Sequence, residues 1–344
     1  MSYVVSSTEK VRGKGADYET KALLYLMNER EDSHEIYCFA IDFYNDVTGL
    51  NAYADKAWDL QSKGTETGSA KSIGRELVTL FKNFMSSLPF DHMILFLAAV
   101  PNTFRVDNSK SVFGIENISD KALKSVKKGL KEEGEEKEYI DDEWITDENV
   151  EKFLRQVSFV IDDKSKAEYI KDIIAVNPKY VPKNDVLDAI FNKIRDVQAA
   201  KKNNETVEGE MVDKLGDVFA YDRILRTKEI RLMVLNTFIN GDIMNNGFPV
   251  YFMPVIAHRD AINQKDTIED CKLKISTVLF DKDNTDKFWD LLDLISEKIT
   301  ENPLANTNVV YNQICDNEAM KIPNLDILSV KYLISVMKEA LDDH

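Results

Sequence analysis

Cysteine, proline, glycine and histidine are all scarce in this chain, and positive charge falls short of negative. The 344 residues include 3 cysteines, Cys38, Cys271 and Cys315. They lie far apart and in no CxxC or CxH spacing, which argues against a disulfide framework and a structural zinc site. With 8 prolines and 13 glycines, no long flexible linker is evident. No apolar run reaches the roughly 18 residues that a membrane span needs. The opening MSYVVSSTEKVRGKG carries no apolar core of a secretory signal. A reduced, cytoplasmic setting without a membrane partner is therefore the expectation. The balance of 60 Asp+Glu against 44 Lys+Arg gives a net charge of −16. That disfavours coating by nucleic acid through bulk charge, though not a local basic site.

What is present is the content of an ordinary globular protein. Hydrophobic residues make up 44%, enough to build cores in about two domains. The segment Tyr18 to Leu26 has helical periodicity, and Ile36 to Tyr44 is β-rich. Lys56 to Lys63 alternates as a strand does, with Ala57, Asp59, Gln61 and Lys63 on one side. Ser69 to Met85 reads as one amphipathic helix. His92 to Val100 is a continuous apolar run, the best candidate for a buried central strand. Beyond residue 165 the pattern is mainly helical, with one short apolar run, Phe248 to Ile256, read as a strand. These elements predict an α/β domain over 1–165 and a mostly helical regulatory or assembly domain over 166–344.

One constellation carries chemistry. If a strand ending at Asp46 neighbours the strand bearing Gln61 and Lys63, the three converge at a sheet edge, with Glu19 on the first helix nearby. Hard oxygen donors of this kind suit Mg2+. Asp46 is the principal ligand. Gln61, where such sites usually hold a second carboxylate, ligates weakly or orients water. Lys63 offsets developing negative charge on a phosphate or positions the attacking water, and Glu19 completes the shell. The plainer alternative is a turn aspartate beside a solvent-facing Gln-x-Lys pair.

The stretches GKGADYETKALLYL, FYNDVTG and WDLQSKG resemble the DNA endonuclease domain of CD-NTase-associated antiphage effectors. That domain also occurs in the nuclease subunit of Lamassu-type defence systems and belongs to the PD-(D/E)xK group. The resemblance covers residues 12–100. Asp46-Val47 matches the acidic strand element and Gln61-x-Lys63 the Q-x-K element, while Gly15, Tyr18 and Glu19 match the helix start more loosely. Ser62 departs from the pattern, where an apolar residue is usual; as it faces away from Gln61 and Lys63, it touches the packing more than the chemistry. The resemblance implies a restriction-endonuclease-like core, a mixed sheet flanked by helices. It further implies cutting of double-stranded DNA with Mg2+, or Mn2+ in its place, restrained until infection is sensed. The implied partner is an SMC-like ATPase subunit, with homo-oligomerisation on activation as a further expectation. The rival reading is a non-catalytic scaffold that keeps the fold.

A nuclease this acidic must concentrate positive charge locally. Lys71 and Arg75, one turn apart on the helix after the Q-x-K strand, are the first candidates for phosphate contacts. Lys121, Lys124, Lys128 and Lys131 share one helical stripe that could track a backbone. The acidic run Glu132 to Glu143 is expected either to fold over that stripe or to form a loop. Arg223, Arg226, Lys228 and Arg231 read as the basic face of an amphipathic helix.

Overall fold

The computed structural model describes residues 3–5, 13–64, 68–174, 184–231, 233–234, 249–280 and 285–341. They form two compact units. The first comprises Met1–Ile173 and Asn184–Thr227, and the second Ile174–Lys183 and Lys228–His344. The division expected at residue 165 is thereby corrected. Two strands, a short helix up to Ile173 and a long helix from beyond that point belong to the first unit.

The first unit is built on a seven-stranded mixed sheet. Its strands are β2 (Cys38–Ile41), β3 (Val47–Leu50), β4 (Ala57–Lys63), β5 (Phe90–Leu97), β6 (Val112–Phe113), β7 (Val157–Ile161) and β9 (Ile224–Arg226). A separate two-stranded sheet joins β1 (Tyr3–Val4) to β8 (Met211–Val212). The order across the large sheet is β6-β7-β5-β4-β3-β2-β9. β4, β5 and β7 run parallel, while β2, β3 and β4 form an antiparallel meander. β9 adds antiparallel to β2, pairing Ala40 with Ile224 and Cys38 with Arg226. The apolar run at 92–100 is indeed the buried centre: Ile94, Leu95 and Phe96 are fully buried in β5.

Two helical layers cover the sheet. Helix α1 (Gly13–Asn28) lies over the face that carries Ser62. Ser62 and Phe96 are register partners and so share a face, and Tyr25 of α1 packs on Phe96 at 5.7 Å between centroids. Helix α7 (Asn184–Asn203) joins α1 through a hydrogen bond from Thr20 to Gln198. The opposite face, which carries Gln61, is covered by α2 (Ala70–Glu76), α3 (Val78–Met85), α4 (Asp120–Glu136) and α5 (Asp147–Leu154). The single helix expected over 69–85 is thus two, broken at Leu77, whose φ −82°, ψ −6° ends one turn and starts the next. The break lets Ile73 and Leu77 of α2 and Leu80 and Phe81 of α3 all reach one core.

Helices α2 and α4 cross backbone to backbone. A Cβ on Gly74 would lie 2.1 Å from the Val126 carbonyl oxygen, and one on Gly129 would lie 2.0 Å from that of Lys71. Only glycine at both positions allows this approach. Helix α6 (Lys166–Ile174) closes the continuous part of the unit.

The second unit contains, among the described residues, helices and no strand. Besides the helical residues 228–231 and 233–234, they are α8 (Met253–Ile256), α9 (Ala261–Phe280), α10 (Thr285–Glu301), α11 (Thr307–Ile314) and α12 (Ile327–Leu341). Its core gathers Phe252, Ile268, Phe288, Leu291, Val310 and Tyr332. The run read as a strand over 248–256 begins outside the described residues. Its end is α8, started by Pro254 in the first turn. No helix of the described residues is long and apolar enough to cross a membrane.

The α2–α4 crossing supplies a test of the first unit. Gly74→Ala or Gly129→Ala forces two helix backbones apart and should cost about 2 kcal/mol or more. Thermal denaturation of either variant is expected to show a clear drop in Tm, and an unchanged Tm would contradict the crossing.

Candidate active site

The site is assembled where the meander meets α1 and α7. β2 ends at Ile41 and β3 begins at Val47, so Asp46 lies in the turn between them. The expected strand ending at Asp46 is corrected: the strand ends at Ile41, and Asp46 is the last turn residue before β3. The turn closes through a hydrogen bond from Asp42 N to Asp46 O at 3.1 Å. Asp42 takes a left-handed backbone, φ 48°, a conformation that aspartate tolerates better than most residues.

In the antiparallel register Val47 faces Leu60, which brings Asp46 opposite Gln61. Asp46 Oδ2 accepts three hydrogen bonds. They come from Gln61 Nε2 at 2.9 Å, Ser62 N at 2.8 Å and Ser62 Oγ at 2.8 Å. The Asp46 carboxylate therefore takes the place of a ladder carbonyl beyond the start of β3. Ser62, set aside because it faces away from Gln61, is in direct contact with the central acid. A β-strand's in-plane N–H is not on either face, and the Ser62 hydroxyl reaches round the strand end.

Gln61 is itself held. Thr79 Oγ1 on α3 lies 3.0 Å from Gln61 Oε1 and 3.2 Å from Asn45 Oδ1, and donates its one hydrogen to one of them at a time. Gln61 thus presents its amide nitrogen, not its oxygen, to Asp46. Lys63, two residues on and on the same face, has its Nζ 3.1 Å from Glu76 Oε2 of α2.

On the α1 side the structure gathers charged groups that spacing alone did not connect. Lys202, in the last turn of α7, has its Nζ 3.3 Å from Glu19 Oε1 and 3.4 Å from Asp42 Oδ1. Arg223, just before β9, lies 3.5 Å from Asp42 Oδ2 and donates to the Asp42 and Glu205 carbonyls. The amphipathic helix expected over Arg223, Arg226, Lys228 and Arg231 is corrected in its first half: Arg223 is buried and Ile224–Arg226 is a strand, while Lys228 and Arg231 lie in a helical stretch that starts at residue 227. Glu19 and Asp46, from two elements, were named for the site from the sequence; Asp42 and Lys202 were not, and Arg223 was named only as part of a basic helix face. Asp42 was visible as an acid four residues before Asp46. Lys202 and Arg223 gave no local signal.

Burial dominates the electrostatics here. It pushes the Glu19 carboxyl up to about 7, helped by the nearby charges of Asp46 and Asp42 and opposed by Lys202. Burial likewise raises Asp42 to about 6, with Lys202 and Arg223 opposing and Asp46 assisting. Lys202 is raised as well, against its burial. Burial alone would lower it, but Glu19, Asp42 and Asp46 hold it above the usual lysine value. Behind the site Asp59 is fully buried and raised to about 6 by desolvation, although Asn83, Thr48 and Asn45 all donate to it.

Among the described residues, no group of three or more His, Cys, Asp or Glu side chains is placed to hold a metal ion. The donor chemistry nevertheless fits a hard cation. Three carboxylates, Glu19, Asp42 and Asp46, stand with two cations, Lys202 and Arg223, and burial raises Glu19 and Asp42. Glu19 and Asp46 are the residues that would hold such an ion; Gln61 orients Asp46.

The residues expected to bind DNA lie across the α2–α4 crossing. Lys71 Nζ is 2.5 Å from Glu132 Oε2, Arg75 lies 3.5 Å from the same oxygen, and Lys128 lies 3.7 Å from the other. Lys131 pairs with Asp147 at 2.7 Å. Lys121 and Lys124 are exposed on α4. The acidic run does not fold back over the stripe as a separate segment: Glu132 and Glu133 are part of α4 itself and meet Lys71 and Arg75 from there. No family model matches this chain, and no curated protein or solved structure matches it.

The raised Glu19 carboxyl fixes a pH dependence. Between about 4.5 and 7 the folded protein keeps a proton that the unfolded chain has released, so stability falls as pH rises through that window. Glu19→Gln removes the penalty. Its Tm, measured without divalent cations, should exceed that of the wild type by roughly 5 °C at pH 8 and change little at pH 5. A lower Tm at pH 8 would show that Glu19 is a net stabilising anion.

Proposed function

We propose that this chain is a Mg2+-dependent endonuclease acting on double-stranded DNA. The observation that carries the reading is the cluster of buried, incompletely neutralised carboxylates, Glu19, Asp42 and Asp46, at the end of β4 beside Gln61 and Lys63. A buried excess of negative charge costs stability, and a cation site is a physical reason to keep one. The mixed sheet with helices on both faces agrees with the restriction-endonuclease-like core that the sequence resemblance implies. The role as an antiphage effector, restrained with an SMC-like ATPase partner, rests on that resemblance.

Bound there, Mg2+ or Mn2+ would supply Lewis-acid stabilisation of phosphate charge and a more acidic water. The chain's own groups have separable roles. Three donors fix the rotamer of Asp46, so that its second oxygen faces a defined point. Gln61 transmits the position of α3 to Asp46 through Thr79. Lys63 brings positive charge to the Gln61 face, where it would meet a phosphate oxygen after leaving Glu76. Glu19, whose carboxyl titrates near neutrality, can hold or release a proton on the opposite face. Lys121 and Lys124 with Lys71 and Arg75 would follow the duplex backbone. The scaffold reading has one observation in its favour: Asp42 is already paired with both Lys202 and Arg223.

Plasmid cleavage decides between them. The chain, alone or with its neighbouring-gene products, is expected to cut supercoiled DNA with Mg2+ and not with EDTA. Asp46→Asn and Lys63→Ala should each reduce the rate by about 100-fold or more. A folded protein that cuts in no combination would move the assignment to a scaffold, and variants that cut normally would remove Asp46 and Lys63 from the catalytic site. Separately, the Lys121→Ala/Lys124→Ala protein should bind duplex DNA several-fold more weakly, with a log–log salt slope smaller by roughly 1–2. Fluorescence anisotropy across a salt series in EDTA would measure both, and an unchanged slope would remove the stripe from the DNA path.

A further inference from the structure

Lys202 is the charged side chain that the nuclease reading leaves unused. It sits in the last turn of α7, far in sequence from Glu19 and Asp42, and its side chain is 8% exposed. Withdrawing an ammonium group from water is costly unless carboxylates offset it. Here two do so from separate elements, Glu19 at 3.3 Å and Asp42 at 3.4 Å. The two cations of the cluster differ in kind. Arg223 donates to the Asp42 and Glu205 carbonyls, which ties a planar, rigid group to the backbone. Lys202 is a compact charge on a flexible stem that can be withdrawn by rotamer changes alone.

We propose that Lys202 is an internal counter-cation: its Nζ, shared between Glu19 and Asp42, neutralises Glu19 when no metal is bound, and it withdraws when a divalent cation binds Glu19 and Asp46. This rests on the cation reading above. It gives the cluster two electrostatically balanced states. Without metal the ammonium suppresses repulsion between Glu19 and Asp42. With metal the divalent charge takes over that task, so metal affinity is a competition and is weaker than the carboxylates alone would give.

The test is Mn2+ binding, followed by electron paramagnetic resonance on the full chain without DNA. Lys202→Met removes the competitor and should bind Mn2+ about tenfold more tightly than the wild type. Lys202→Arg keeps the charge and should bind no better than the wild type. Equal or weaker binding by Lys202→Met, with a binding wild type, overturns the counter-cation role and leaves the cation site standing. No binding by either protein overturns both. A measurement on the wild type stands if the Met variant does not fold. Acylation of Lys202, read by mass spectrometry relative to exposed Lys124, should rise several-fold on adding Mn2+. A rate that the metal leaves unchanged overturns the withdrawal.

Discussion

A carboxylate lying in the plane of a sheet can do the work of a missing strand. Asp46 Oδ2 accepts the Ser62 N–H and hydroxyl and the Gln61 amide, so the end of β4 is completed by a side chain rather than by main chain. The rest of the candidate site depends on this arrangement. It fixes the β2–β3 turn against β4 and makes Asp46 accessible to both faces of the sheet. Gln61 meets it from the α3 side, with Thr79 holding Gln61 from behind. Its charge acts on Glu19, Asp42 and Lys202 on the α1 side. A carboxylate on a strand face would have been screened from one of these groups by the sheet itself.

The same arrangement concentrates charge where water is scarce. Glu19, Asp42 and Asp59 all hold their protons more tightly than exposed carboxyls do, and burial is the leading cause in each. Asp59 is satisfied by three neutral donors and acts as the anchor behind the turn. Asn45 links it to Asp46, donating to Asp59 Oδ2 and accepting from Asp46 N. Asn83 extends the network to Tyr3 on β1. A hydrogen-bonded network of this kind sets side-chain position more firmly than apolar packing does. The cost of its unneutralised charge is the kind of cost that folds carry at working sites.

Bulk charge and local charge separate in this molecule. At −16 overall, the chain still brings Lys71, Arg75 and Lys128 to one carboxylate, Glu132, at the α2–α4 crossing. Exposed pairs of this type contribute little to stability, and phosphate can replace a carboxylate as their partner. The two glycines that permit the crossing therefore set the spacing of these cations as well as the packing beneath them.

Local pattern determined much of this protein. The alternation in 56–63, the apolar run at 92–100 and the helical periodicities each name an element that the fold contains. The order of Asp46, Gln61 and Lys63 on adjoining strands was legible, because strand periodicity and a short connection leave few alternatives. Tertiary structure decided what those residues touch. The break at Leu77 follows from shared packing of two short helices on one core. The contact of Ser62 with Asp46 comes from an in-plane N–H, which facial alternation does not describe. Lys202 and Arg223 stand more than 150 residues from Asp46 in the chain, and the unit boundary expected at 165 separated them from it. Their placement depends on β9 pairing with β2 and on α7 packing against α1, long-range contacts that no local sequence pattern encodes.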